Sequence, residues 1–105
     1  MKKTLVIGAS LNPSRYSYLA LQRLASHNIE TVAIGLKPGN VAGVDISTQK
    51  VAFEDIDTVS LYLNPKNQEE YYQYIINLKP SRVLFNPGTE NPNFYTLLTS
   101  NGIQV

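Results

Sequence analysis

Thr4-Leu5-Val6-Ile7-Gly8-Ala9-Ser10-Leu11-Asn12-Pro13-Ser14-Arg15-Tyr16 decides the fold. Thr4–Ile7 is short, β-branched and apolar, as a strand buried on both faces of a parallel sheet must be. Gly8-Ala9-Ser10 closes it and Leu11-Asn12-Pro13-Ser14 turns the chain, with Ser14 as the expected N-cap of a helix from about Arg15 to Ser26. Within that helix Tyr18, Leu21, Leu24 and Ala25 recur at helical spacing and form one apolar face. A buried strand, a glycine turn and an amphipathic helix in this order are the first half of a βαβ unit.

Outward from this unit the pattern repeats. His27-Asn28 ends the helix, Asn28 suiting the left-handed conformation usually given to glycine. Thr31–Ile34 reads as a second strand and Gly35-Leu36-Lys37-Pro38-Gly39-Asn40 as a loop. The weakly patterned stretch from Val41 to Glu54 is expected to hold one short strand and a turn. Thr58–Leu63 reads as the next strand, broken by Asn64-Pro65-Lys66-Asn67. A helix is predicted over Gln68–Leu78, capped by Asn67 and burying Tyr71/Tyr72, Ile75, Ile76 and Leu78; Pro80 stops it. Arg82–Phe85 is a strand, Asn86–Pro92 a loop, Asn93–Ser100 a helix ended by Asn101-Gly102, and Ile103–Val105 a last stub of strand.

The fold class expected is therefore α/β: a Rossmann-like three-layer domain with a parallel sheet of about five strands, helices on both faces and strand order 3-2-1-4-5. A chain of 105 residues with 43% hydrophobic content is expected to form one domain with a full core. There is no cysteine, so neither a disulfide framework nor a thiol nucleophile is available. The start Met1-Lys2-Lys3 resembles a signal peptide only in charge, because its apolar run ends at Gly8; a cytoplasmic protein without a membrane span is expected. Nine Lys and Arg against eight Asp and Glu give a net charge of +1 with no basic cluster, which argues against a nucleic-acid partner.

The prolines and glycines carry the functional signal. Pro13, Pro38, Pro65 and Pro87 each follow a predicted strand, and Gly8, Gly35, Gly39 and Gly88 fall in three of the same four loops. Proline fixes φ and glycine admits close approach of a ligand, so this edge reads as shaped, although tight strand-to-helix turns use such residues too. In open α/β sheets ligands bind outside the carboxyl ends of the strands, where strand order reverses. Gly8-Ala9-Ser10 before a helix offers an anion site, to which Ser10, Ser14 and Arg15 add donors. The G-x-G-x-x-G spacing is absent, Ser10 and Pro13 standing in its way. After the second strand there is Lys37 and no acid, which disfavours NAD and suits a ribose with an extra phosphate, as in NADP or CoA.

Catalytic candidates are few. His27, the single histidine, falls near a helix end and reads as a surface residue; with no cysteine, no transition-metal site is expected. Glu90 is the one carboxylate on the ligand edge, where it has three uses: a base, an orienter of Thr89, or a cap for the last helix. Tyr71, Tyr72 and Tyr74 cannot all face the core from one helix, so an exposed tyrosine is expected, and with it a partner surface that includes self-association.

Taken together these segments resemble the small stand-alone CoA-binding domain proteins, relatives of the CoA-binding domain of succinyl-CoA synthetase α chains. The resemblance runs through Val6–Ser17, Val32–Gly39 with Gly43, Ile56–Val59, Leu63-Asn64-Pro65, Phe85–Asn91 and Asn101-Gly102-Ile103. It implies a Rossmann-like domain that holds coenzyme A or an acyl-CoA across the four loops without catalysing a reaction. On this resemblance Gly8, Ser10, Arg15 and Tyr16 meet the phosphates, Ala9 and Pro13 belong to the same binding loop, and Lys37 and Pro38 border the adenosine. Asn64 and Pro65 wall the pocket, and Gly88 and Thr89 close it near the pantetheine side, with Asn86 and Pro87 binding in the same loop. Lys37 stands where the family usually has asparagine. The family also commonly continues past the Gly-Ile segment, often with a cysteine, so a short last strand is expected here. Two other readings remain open from the residues alone: an NADP- or NAD-binding enzyme or redox sensor, and an interaction module with a vestigial pocket.

Overall fold

The computed structural model describes residues 3–105; Met1-Lys2, the charged start noted above, lies outside them. Strand β1 (Lys3–Ala9) leads to helix α1 (Tyr16–Ser26), strand β2 (Glu30–Gly35), the short strands β3 (Gly39–Val41) and β4 (Val44–Ser47), and strand β5 (Ile56–Leu61). Helix α2 (Pro65–Gln68), a 3₁₀ turn (Glu69–Tyr71), helix α3 (Tyr72–Leu78), strand β6 (Arg82–Phe85) and helix α4 (Pro92–Ser100) complete the chain. The sheet order is β3-β4-β2-β1-β5-β6, parallel throughout except for the antiparallel β3–β4 pair.

The side-chain alternation of β1 sets the layers. Leu5 and Ile7 enter one core with Ile34, Val59, Leu61 and Val83, covered by Ile75 of α3 and by Phe94 and Leu98 of α4. Val6 points to the other face and meets Ala33, Val41, Val44, Ile46 and Leu21 of α1. A strand buried on both faces with no polar residue between Leu5 and Ile7 is what a central parallel strand requires. The three-layer α/β class and the expected succession of parallel strands are therefore observed.

Several local expectations are corrected. The stretch after β2 forms a hairpin of two strands, not one, because Ala42-Gly43, both at positive φ, turns β3 back on β4. Gly39 and Asn40 accordingly belong to a strand, and the sheet has six strands. Ser14 does not cap α1: its N–H and hydroxyl both donate to Asn12 Oδ1, and Arg15 takes the N-cap position with no side-chain bond. The helix predicted over Gln68–Leu78 starts earlier and is interrupted. Asn64, not Asn67, is the cap, its Oδ1 accepting from Asn67 N at 2.9 Å with Pro65 at the first helical position.

The 3₁₀ turn rotates the chain so that none of Tyr71, Tyr72 and Tyr74 is left exposed. All three are half-buried: Tyr72 stacks on Phe94 at 4.2 Å and Tyr71 meets Tyr74 edge-on at 6.2 Å. The most exposed tyrosine is Tyr16. Glu90 neither caps α4 nor holds Thr89. Asn91 is the cap, and Glu90 Oε1 accepts from Gly88 N at 2.8 Å. The last stub is a single bridge between Gln104 and Arg82.

Candidate functional site

The neighbouring parallel strands β2, β1, β5 and β6 all end at the same sheet edge, so the four proline- and glycine-bearing loops emerge side by side. Two glycines make this closeness feasible. Gly8 has φ +92°, and a Cβ there would sit 2.9 Å from the Tyr62 carbonyl carbon, where the chain leaving β5 donates Tyr62 N to Ile7 O. A Cβ on Gly35 would lie 2.3 Å from Ala9 O. The ends of β2, β1 and β5 thus meet backbone to backbone.

In the first loop Asn12 is the organiser: its N–H donates to Ser10 Oγ and its Oδ1 accepts from Ser14, which folds the chain over before α1. Ala9 is buried, Ser10 half-buried, and Pro13, Arg15 and Tyr16 are exposed. The start of α1 is left bare, with no side-chain cap and no acid in its first turn, so its partial positive charge faces the edge unopposed. In the second loop Lys37 and Pro38 are exposed and Leu36 is 95% exposed. Leu11 reaches across from the first loop and packs where a side chain on Gly39 would lie. Among the described residues the ion pairs are Lys3–Glu30 and Lys50–Glu70, so Arg15 and Lys37 are both without one.

The third and fourth loops are tied together by a group that the sequence does not reveal. Gln68 is fully buried; its Nε2 donates to Leu63 O and to Thr89 O, each at 2.8 Å. Its Oε1 accepts from Asn91 Nδ2, which also donates to the Tyr72 hydroxyl at 2.7 Å. Asn64 and Pro65 are exposed at the start of α2. Asn86 Nδ2 is committed to Ser60 Oγ and Leu61 O, and its carbonyl accepts both the Thr89 N–H and the Thr89 hydroxyl. Of the predicted residues in this loop, Pro87 and Gly88 face solvent, whereas Thr89 is buried with its hydroxyl engaged. Gln68 and Asn91 carry no motif; a buried polar pair 23 residues apart leaves no local pattern.

The opposite edge has a different character. A hollow of about 520 Å³ lies there between the segment before β5 and the end of α3, lined by Lys50, Phe53, Glu54, Asp55, Tyr74 and Leu78. Burial raises the Tyr74 phenol to about 12, with the Tyr71 ring beside it adding to the shift, while its hydroxyl donates to Val51 O. Burial, and then Glu70, raise Tyr71 as well.

Comparison with known proteins gives a consistent picture. The sequence matches the family described as CoA binding domain over residues 2–105. A protein of known crystal structure, described as uncharacterized, is 50% identical, with a TM-score of 0.94, covering 99% of this chain and 86% of that one. A conserved hypothetical protein from Pyrococcus furiosus (21% identity, TM-score 0.85, covering 99% of this chain and 90% of that one) shares the fold. So does a protein from Thermus thermophilus (19% identity, TM-score 0.89, covering 99% and 80%). No curated protein matches the sequence. With the family match spanning all but the first residue and the loops converging at the strand ends, the chain belongs to the CoA-binding domain family.

Proposed function

We propose that this chain, as a single domain, binds coenzyme A or an acyl-CoA across the four loops at the carboxyl ends of its parallel strands and does not itself transform the ligand. The observation that carries this reading is the bare start of α1 flanked on one edge by Arg15 and Lys37, two cations without ion-pair partners. A nucleotide diphosphate matches the helix start, and a ribose phosphate matches Lys37. In this reading Gly8, Ala9, Ser10 and Arg15 surround the diphosphate and Lys37 and Pro38 border the adenosine. Asn64 and Pro65 form one wall, and Asn86, Pro87 and Gly88 form the other. Thr89 supports that second wall from inside.

The absence of an acid after β2 speaks against NAD, and the half-buried state of Tyr71, Tyr72 and Tyr74 weakens the alternative of a tyrosine-based interaction module. Thermal unfolding with CoA, dephospho-CoA and NADPH tests the proposal. At 100 times its Kd, CoA raises the melting temperature by about 10 °C or more, and dephospho-CoA raises it less. A shift with NADPH and none with CoA overturns the reading.

A further inference from the structure

Helix α4 ends with Asn101 at its C-cap, directly followed by Gly102 at φ +74°. Gly102 N donates to Thr99 O and Ile103 N to Leu98 O, each at 3.0 Å, which is the bond pair of a Schellman end. Ile103 and Leu98 are both buried in the same core, as that motif requires. The positive φ calls for glycine, and glycine after asparagine is chemically exposed. With no side chain in the way, the glycine nitrogen has open access to the asparagine amide carbon. Asn101-Gly102 is the one such pair in the sequence. Asn12, Asn64, Asn86 and Asn91 precede proline, which has no N–H, and the remaining asparagines precede residues with bulky side chains.

In the folded chain both reacting groups are occupied. The Gly102 N–H is held by Thr99 O, and Asn101 Nδ2 donates to Leu97 O at 2.8 Å. Asn101 is itself exposed, so these bonds, and not burial, keep it inert. The residues that follow are pinned by Gln104 N to Ser81 O at 3.1 Å and by Val83 N to Gln104 O at 2.9 Å. We propose that Asn101 is a deamidation site gated by this turn. When Ile103 and Gln104 come away from β6, the Gly102 nitrogen bonds to Asn101 Cγ and gives up its proton to solvent. The Cγ–Nδ2 bond breaks, ammonia leaves, and water opens the resulting succinimide to aspartate or isoaspartate. Neither product rebuilds the turn. Aspartate has no donor for Leu97 O and places a negative charge at the negative end of α4. Isoaspartate inserts a methylene into the main chain and moves Gly102 and Ile103 out of register with Thr99 and Leu98. Each opening that reacts is therefore recorded irreversibly, in a molecule that then opens more readily.

Peptide mapping by mass spectrometry tests the gate, following amide loss at every asparagine of the wild type aged in mildly alkaline buffer, folded and in urea. In urea Asn101 is expected to lose its amide faster than any other asparagine. Its rate in the folded protein is expected to be lower by about tenfold or more. Faster loss at another asparagine in urea overturns the site, and equal rates at Asn101 in the two states overturn the gate. Asn101→Asp is expected to melt about 4 °C or more below the wild type. A variant that melts with the wild type overturns the claim that the product cannot rebuild the turn.

Discussion

Gln68 and Asn91, 23 residues apart in sequence, are joined by a 3.0 Å hydrogen bond from Asn91 Nδ2 to Gln68 Oε1, and every polar atom of the Gln68 amide is used. This bond couples the loop after β5 to the loop after β6, because Gln68 opens onto Leu63 O and Asn91 caps α4. The arrangement leads to a direct expectation. Replacing Gln68 by Ala removes the donor to the Leu63 and Thr89 carbonyls and one of the two acceptors of Asn91 Nδ2, at a cost of about 2–4 kcal/mol in urea unfolding. Replacing Asn91 by Ala removes a cap as well and costs a similar amount. The double variant is expected to lose less than the sum of the two by about 1 kcal/mol or more, since both changes break the same bond.

Gly8 is the second test of the framework. Gly8→Ala forces a side chain into a positive-φ position and against the Tyr62 backbone. A loss of about 2 kcal/mol or more is expected on thermal or urea unfolding. Gly88→Ala, at φ +91° but with open space around it, is expected to cost only about 1 kcal/mol. Equal losses at the two positions would show that the close approach at Gly8 contributes nothing.

Lys37 separates ligand electrostatics from stability. It is exposed and makes no ion pair, so Lys37→Ala is expected to unfold within about 0.5 kcal/mol of the wild type. In titration calorimetry the same variant is expected to bind CoA several-fold more weakly and to lose the difference between CoA and dephospho-CoA. Added salt is expected to weaken wild-type binding more than that of the variant.

Alkaline pH tests the opposite edge. The Tyr74 phenol ionises near 10 in the unfolded chain and at about 12 in the folded one, because burial and then Tyr71 disfavour the phenolate. The unfolded state therefore releases this proton first as pH rises. The stabilising contribution is complete below pH 10 and disappears progressively toward pH 12. Unfolding free energy is expected to fall across that window in the wild type and more gently in Tyr74→Phe, followed by urea titration at fixed pH values.

The parallel core was readable because each central strand writes its own signature. Leu5-Val6-Ile7 between a charged start and Gly8 admits few other structures, and Arg82–Phe85 appears at the expected residues. The β3–β4 hairpin escaped the reading because strands of three and four residues beside Pro38, Gly39 and Gly43 have the composition of a loop. The break at Glu69–Tyr71 escaped it for another reason. Nothing local in Glu69-Glu70-Tyr71 breaks a helix, and the 3₁₀ turn goes with the stacking of Tyr72 on Phe94, a partner far along the chain.

At the candidate site the loops were legible through their prolines and glycines, whose backbone demands are local. The side-chain bonding within them was not. Ser14 looks like a cap until Asn12 is seen to claim it, and Thr89 looks like a ligand contact until Asn86 O is seen to take its hydroxyl.

The seating of Leu11 on Gly39 and the Gln68 tie between the two later loops turn four separate fingers into two jaws. One jaw carries the cations and the helix start, and the other is braced from within by amide bonds. Between them runs the seam where Gly8 touches Tyr62. If CoA binds as proposed, a guest of varying bulk is expected to displace the jaw whose outermost residue, Leu36, has almost nothing resting on it, while the other keeps its shape.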